Sequence, residues 1–344
     1  MRGTVAGATL AALLLAGCSD EVEPLHQVSP TSTSPPTGPA TGPTTGATTG
    51  PTTGPSSEAT PGSGTAPTPP PRADPDDVRV ATAMSAVRHL AGRIGPRPGT
   101  SPAYFRAAAW VERRLTGLGW AVERQRFHTP AGVSWGVPVP AGPSVNVVAT
   151  RGDVVPGEPW LLVGAHLDTV PQAPGAEDNA SGIGALLATA EALAGRRTRL
   201  PVVLVAFGSE EPRGHSDADH HYGSTAYVAD LSDGQRASLR GMVALDRVGV
   251  GTAVPVGSPA GDGLIRDDPV VDGLVRAAHR LGVPVTLEDR QRSSDHWSFA
   301  QLGLPGVRLG GTSYAAYHQP GDLPSVVDPT QLGRTARLVV AWLR

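Results

Sequence analysis

The chain has 344 residues, a formal charge of −3 and a pI near 6.4. It therefore lacks the basic balance that nucleic-acid binding requires, and nucleic acid is not an expected partner. All 28 basic residues are arginine, which removes lysine from the possible catalytic groups, and a single cysteine excludes disulfides within the chain.

Residues Met1 to Ser19 open with one Arg2, continue through the apolar run Val5 to Leu15 and end in Leu15-Ala16-Gly17-Cys18. This is the shape of a secretory signal peptide, with an apolar run too short to span a bilayer comfortably. The ending resembles the lipobox of bacterial lipoproteins, which implies a mature chain starting at a lipidated Cys18 on the outer face of the cell membrane. From Ser29 to about Ala73 the chain is Pro, Thr, Gly, Ser and Ala, with nothing large to bury. Residues 19–75 are expected to form a tether reaching roughly 40 Å or more, and residues 76–344 a catalytic domain.

Asp76 is expected to cap a first helix with Val80, Met84, Val87 and Leu90 on one face, ending before Gly95-Pro96. Ser101-Pro102 opens a second helix, which Gly117 and Gly119 stop. Ala121 to His128 alternates like an edge strand, and Val145 to Thr150 is a short apolar strand. Leu161 to Ala165 is a buried strand, Asn179 to Leu193 a tightly packed helix and Val202 to Phe207 a second buried strand, an order that implies a parallel crossover. Helices at Ser224–Leu231, Val270–Leu281, Asp295–Leu302 and Thr330–Leu343, with strands at Met242–Leu245 and Gly306–Leu309, complete the prediction. The fold expected is α/β: three layers, with helices on both faces of a central mixed, mostly parallel sheet.

Chemistry gathers at predicted strand ends. His166 follows Leu161–Ala165, Glu210 and Glu211 follow Val202–Phe207, Asp246 follows Met242–Leu245, and His318 comes after Gly306–Leu309; Asp178 stands at a helix start. A lone acidic residue is usually a solvated surface charge, but five positions converging in this way argue for a site.

These motifs, His166-Leu167-Asp168, Glu177-Asp178-Asn179-Ala180-Ser181-Gly182, Glu210-Glu211, Leu245-Asp246-Arg247, Ser294-Asp295-His296 and Tyr317-His318-Gln319-Pro320-Gly321-Asp322, resemble metallopeptidase family twenty-eight over about residues 78 to 344. That family includes di-zinc aminopeptidases, glutamate carboxypeptidases and glutaminyl cyclases. The resemblance implies one Zn²⁺ held by His166, Asp178 and Asp246 and a second by Asp178, Glu211 and His318, with Asp178 bridging and cobalt or manganese as possible substitutes. It implies Glu210 as general base and Tyr317 as hydrogen-bond donor to the oxyanion. Asp168 is placed to orient the His166 imidazole, and Asp295, His296 and Asp322 fall in the motifs outside the ligand set. His26, His89, His128 and His279 are read as incidental.

The chain departs from the family pattern in two places. Arg247 stands where many relatives carry Met, and residues 212–222 form an extended loop with His215, Asp217, Asp219, His220 and His221, read as a solvated insertion more readily than as a substrate-facing loop or accessory metal site. The expected function is a monomeric, membrane-tethered aminopeptidase acting on peptides with a free N-terminus. The alternatives are a related His-x-Asp amidohydrolase or carboxypeptidase, and a non-catalytic peptide-binding lipoprotein of the same fold.

Overall fold

The computed structural model describes residues 69–152, 154–261 and 267–344; the signal-like segment, Cys18 and most of the expected tether lie outside the described residues. In chain order the elements are α1 (Val80–His89), α2 (Pro102–Gly117), β1 (Ala121–Thr129), β2 (Gly132–Ser134), β3 (Val137–Val139), β4 (Gly142–Thr150), β5 (Trp160–His166), α3 (Gly182–Ala192) and β6 (Val202–Phe207). There follow α4 (Tyr222–Asp230), α5 (Asp233–Ser238), β7 (Leu239–Leu245), β8 (Val254–Gly257), α6 (Pro269–Leu281), β9 (Val285–Glu288), α7 (His296–Ala300), β10 (Gly306–Leu309) and α8 (Pro329–Leu343). Among the described residues no helix is long and apolar enough to cross a membrane.

Packing begins before the expected boundary at residue 76. Arg72 bridges Arg197, the Ala73 N–H donates to the Arg197 carbonyl at 2.9 Å, and Ala73 is buried. Asp76 does not cap α1: its N–H donates to Asp74 Oδ1 in a one-turn helix at Pro75–Asp77, and α1 starts three residues further on with no side-chain cap. Elsewhere the capping logic holds. Ser101 accepts from the Tyr104 N–H at the start of α2, and Asp268 and Asp328 do the same work ahead of Pro269 and Pro329 at α6 and α8.

Eight strands form one mixed sheet in the order β1-β4-β6-β5-β7-β10-β8-β9. The β6-β5-β7-β10 core is parallel throughout, as is β8-β9, whereas β1-β4, β4-β6 and β10-β8 are antiparallel. Both faces are covered. Leu161, Val163 and Ala165 of β5 join the cluster containing α1, α2, α3, α6 and α8, while Trp160 and Leu162, pointing the other way, join Tyr227 of α4 and Phe299 of α7. All seven residues of β5 are buried, and each Val or Leu so buried contributes about 1.5–3 kcal/mol. Gly164 lies against the Phe207 ring, where any Cβ would overlap it. The result is a stiff central strand whose C-terminal residue is His166.

Candidate metal centre

The site lies at the C-terminal edge of the parallel strands, where loops leave β5, β6, β7 and β10. His166 ends β5, and its Nε2 lies 3.1 Å from Asp178 Oδ1 and 3.8 Å from Asp246 Oδ1, the latter carried one residue past β7. His318, in the turns that follow β10, places its Nε2 3.0 Å from the other Asp178 oxygen and 3.4 Å from Glu211 Oε2. Two three-residue groups result, His166/Asp178/Asp246 and Asp178/Glu211/His318, each buried and each with its donor atoms within 4.8 Å of one another; they are the only such groups among the described residues. Asp178 belongs to both, offering one oxygen to each imidazole.

Backbone features aim these side chains. Asp178 and Asn179 leave helical geometry inside the Ala176–Ser181 turn, at φ −109° and −135°, and the peptide between them is cis. Asp322 fixes that turn: its carboxylate accepts from the Glu177 N–H at 2.9 Å, the Asp178 N–H at 3.1 Å and the Tyr314 hydroxyl at 3.0 Å. Asn179 donates to the Leu245 carbonyl and accepts from the Gly182 and Arg247 N–H groups, so the turn is also tied to the end of β7. Among the described residues six non-glycine residues have positive φ: Trp135, Ser209, His221, Arg247, Arg290 and His318. Five of them line one cavity of about 370 Å³ over the site, and Ser209 immediately precedes Glu210. Left-handed backbone at such residues costs on the order of 1–3 kcal/mol each, and its concentration here marks a site built for chemistry.

Asp168 differs from expectation. It lies 3.7 Å from His166 Nδ1, too far for a hydrogen bond, and instead accepts from the Glu210 and Glu211 N–H groups at 3.0 and 3.2 Å. It therefore holds the Glu-Glu turn against the end of β5, while its charge still faces the imidazole.

The electrostatics fit a cation. Four buried carboxylates, Asp178, Glu210, Glu211 and Asp246, converge on two imidazoles and Arg247. Burial, reinforced by Asp178 and Glu210, pushes the Glu211 carboxyl well above its usual range. Burial opposes ionisation of Asp178 and Asp246 too, but hydrogen bonding to His166 and His318 holds Asp178 far below the usual range, and His166 with Arg247 brings Asp246 to about 2. Burial would lower the His166 pKa, yet Glu210, Asp168, Asp178 and Asp246 raise it well above normal. Asp246 Oδ1 is buried with no hydrogen-bond donor among the described residues. The donor set of imidazole nitrogen and carboxylate oxygen, three to a group, suits Zn²⁺.

Several contributors escaped the sequence reading. His221 is buried with Nε2 3.1 Å from Glu210 Oε1, and His220 and Asp217 line the cavity, so the loop is not simply a solvated insertion, although His215 is exposed. Trp135, at the tip of the β2-β3 hairpin, packs edge-on to His318 at 4.4 Å between centroids and to Tyr317 at 5.9 Å. Tyr317 stacks on His318 at 3.7 Å beneath the Arg247 guanidinium at 4.5 Å. Arg97 is fully buried, donating from Nε to the Leu167 carbonyl and from its terminal nitrogens to those of Pro174 and Gly175, which braces the loop between His166 and Asp178. Glu177, next to the bridging residue, accepts from the Gly249 N–H, and burial pushes its carboxyl up to about 8. Asp295 and His296 are buried and belong to neither ligand group, and they do not line the cavity, nor do His89, His128 and His279.

Residues 146–343 match the model of peptidase family M28. The chain is 27% identical over 320 residues to the uncharacterized protein YfbL of Escherichia coli, covering 82% of this chain and 92% of that protein. It is 27% identical over 302 residues to leupeptin-inactivating enzyme 1 of Streptomyces exfoliatus, covering 80% of this chain and 62% of that one. Among solved structures, a zinc aminopeptidase from Bacillus subtilis superposes with a TM-score of 0.66 at 18% identity, over 77% of this chain and 94% of that one. Porphyromonas gingivalis glutaminyl cyclase does so with a TM-score of 0.65 at 20% identity, over 77% and 98%. At these identities the superpositions show the mixed-sheet α/β fold alone. With its family signature running from β4 through α8, the chain belongs to peptidase family M28 and is by family a metallopeptidase, a hydrolase acting on peptides.

Proposed function

We propose that the chain is a two-metal exopeptidase of the aminopeptidase type, cleaving the N-terminal bond of peptides, with zinc the favoured ion. The observation that carries this reading is the Asp178 carboxylate, with Oδ1 3.1 Å from the His166 imidazole and Oδ2 3.0 Å from the His318 imidazole. His166 and Asp246 would complete one ion's protein ligands, and Glu211 and His318 the other's. Bound there, the ions would supply Lewis-acid polarisation of the scissile carbonyl and acidify the attacking water.

Glu210 is the general base in this reading, accepting the water proton on a carboxylate oxygen and delivering it to the leaving amine. Its Oε1 is oriented by His221 Nε2 and its backbone by Asp168. Tyr317, kept protonated because burial and then Asp178 push its phenol far above the usual range, donates a hydrogen bond to the carbonyl oxygen as charge develops there. Trp135 and Tyr317 wall the cavity beside His318 and limit water around the reacting centre. The names of the Bacillus subtilis and Streptomyces exfoliatus proteins support peptide or peptide-like substrates, while the cyclase superposition keeps glutaminyl cyclase activity as an outcome to be tested. From the sequence we also propose export and lipidation at Cys18, which mass spectrometry of the mature N-terminus would check.

The deciding experiment is a peptide-library digest with zinc-loaded wild type beside Glu210→Gln. Removal of single N-terminal residues by wild type alone supports the reading. Equal digestion by the variant overturns the base assignment, and release of C-terminal residues overturns the aminopeptidase assignment.

A further inference from the structure

The tip of the β2-β3 hairpin carries a tryptophan where its turn favours a small polar residue. Ser134 pairs with Val137, leaving Trp135 and Gly136 as a two-residue loop with φ of 48° and 84°. Two left-handed residues in such a loop make a type I′ turn, which prefers Asn, Asp or Gly at these positions. Nor is Trp135 a core residue, since it is 54% exposed. Residues 146–343 carry the family match, so the hairpin precedes the family signature and its tip is a feature of this chain.

The indole is nevertheless held in place beside the candidate centre. It stands edge-on to His318 at 4.4 Å and to Tyr317 at 5.9 Å between centroids, and all three side chains line the same cavity. The hairpin is tied to the loop that carries Glu210 and Glu211. Val133 donates its N–H to the Arg213 carbonyl at 3.0 Å, and Gly132 lies so close to that carbonyl that a Cβ would overlap it. The buried Arg213 guanidinium donates to the Pro140 carbonyl at 2.9 Å, and Thr100 Oγ1 donates to the same oxygen at 3.1 Å. A braced, half-exposed ring on a cavity wall is preorganised to pack on a substrate group, and aromatic partners gain most from such a contact.

We infer that Trp135 is a specificity-determining residue, whose indole packs on a large apolar or aromatic side chain flanking the scissile bond and so selects such peptides over those with small side chains. This rests on the peptidase reading above for its reaction, but not for its binding.

The test compares zinc-loaded full-length wild type, Trp135→Asn, Trp135→Phe and Val133→Ala on the amides of Phe-Ala-Ala, Ala-Phe-Ala and Ala-Ala-Ala. Binding of the same peptides is measured by calorimetry on Glu210→Gln, alone and combined with Trp135→Asn. Wild type should prefer one phenylalanine peptide to the all-alanine peptide about tenfold in kcat/KM, equivalent to ~1.4 kcal/mol; the first places the contact on the N-terminal residue, the second on its neighbour. Trp135→Asn should bring that ratio toward one with zinc content unchanged and the urea midpoint unchanged or raised, because Asn suits the left-handed position. Trp135→Phe should keep most of the preference. Val133→Ala, exposed on the same hairpin and outside the cavity lining, should keep all of it. An equal fall for all three peptides in Trp135→Asn, or a lower urea midpoint with the ratio unchanged, would make the indole a packing element and overturn the inference. Preferential binding by Glu210→Gln that is lost with Trp135→Asn, without turnover by wild type, would keep the subsite and overturn the peptidase reading. Cleavage of all three peptides by wild type within twofold would overturn the subsite and leave the peptidase reading standing.

Discussion

Replacing Asp322 by Ala removes no proposed ligand, yet it should damage both folding and metal binding. The carboxylate accepts two buried backbone N–H groups, from Glu177 and Asp178, and the Tyr314 hydroxyl. Each buried N–H left without an acceptor costs about 1–3 kcal/mol, so the pair gives roughly 2–6 kcal/mol. Removing a negative charge beside Asp178 relieves some repulsion and trims the net cost to about 2–4 kcal/mol. Because the same N–H bonds aim the bridging carboxylate, zinc affinity should also fall, by about 10–100-fold, the usual effect of losing a partner behind a ligand. Urea unfolding in the presence of chelator isolates the first effect, and competition with a chromophoric chelator the second. Asp322→Asn, which keeps the shape and one carbonyl oxygen, should fall between wild type and Ala in both. If Asp322→Ala unfolds at the wild-type urea concentration and binds zinc as tightly, the turn is not held in the way described.

His221→Ala should lower kcat about tenfold with KM and zinc content unchanged, because His221 touches only the base Glu210 within the catalytic set; His221→Asn should recover part of the loss. Arg97→Lys should destabilise by about 3 kcal/mol or more, since a single ammonium cannot serve the carbonyls of Leu167, Pro174 and Gly175 together; an unchanged urea midpoint would contradict this. His296 is fully buried, with Nε2 2.9 Å from the Gln291 carbonyl, and burial lowers its pKa to about 3. Its folded-state pKa is depressed, so below pH 6.5 the unfolded chain takes up a proton that the folded chain refuses, and stability is lost as pH falls toward 3. Relative to His296→Gln, wild type should lose about 1.4 kcal/mol per pH unit over that window, and parallel pH profiles for the two would refute the assignment.

The central strands and long helices were legible because their signals are local. Val202–Phe207 and Gly306–Leu309 were recovered to the residue, and Ser101-Pro102 read as a helix start because cap and proline act within one turn. The strands β8 and β9 were not legible, being four residues long with partners that only tertiary packing supplies, and the β2-β3 hairpin, though local, has strands of only three residues, too short to show an alternating pattern. The motifs also located the two groups that converge on Asp178, since each sits beside a strand end or a recognisable turn. What they could not reveal was how those residues are held. Asp168 bonds the Glu210 and Glu211 backbone and not the imidazole, and nothing local to Arg97, just past Gly95-Pro96, links it to the distant carbonyls of Leu167, Pro174 and Gly175. His221 carried a partial signal, as a histidine just before the Gly223-Ser224 helix start, but nothing local links it to Glu210 eleven positions earlier. Trp135 had only its neighbour Gly136 to suggest a turn, and nothing to suggest that the turn reaches His318.

The most direct test of a shared, two-ion centre is the metal content of the purified chain after zinc loading and dialysis, measured by mass spectrometry for wild type, His166→Ala and Asp178→Asn. Two zinc ions per wild-type chain, one in His166→Ala and none retained in Asp178→Asn are the expected results, because Asp178 alone serves both groups. A single ion in wild type, or two ions still held by Asp178→Asn, would contradict the account.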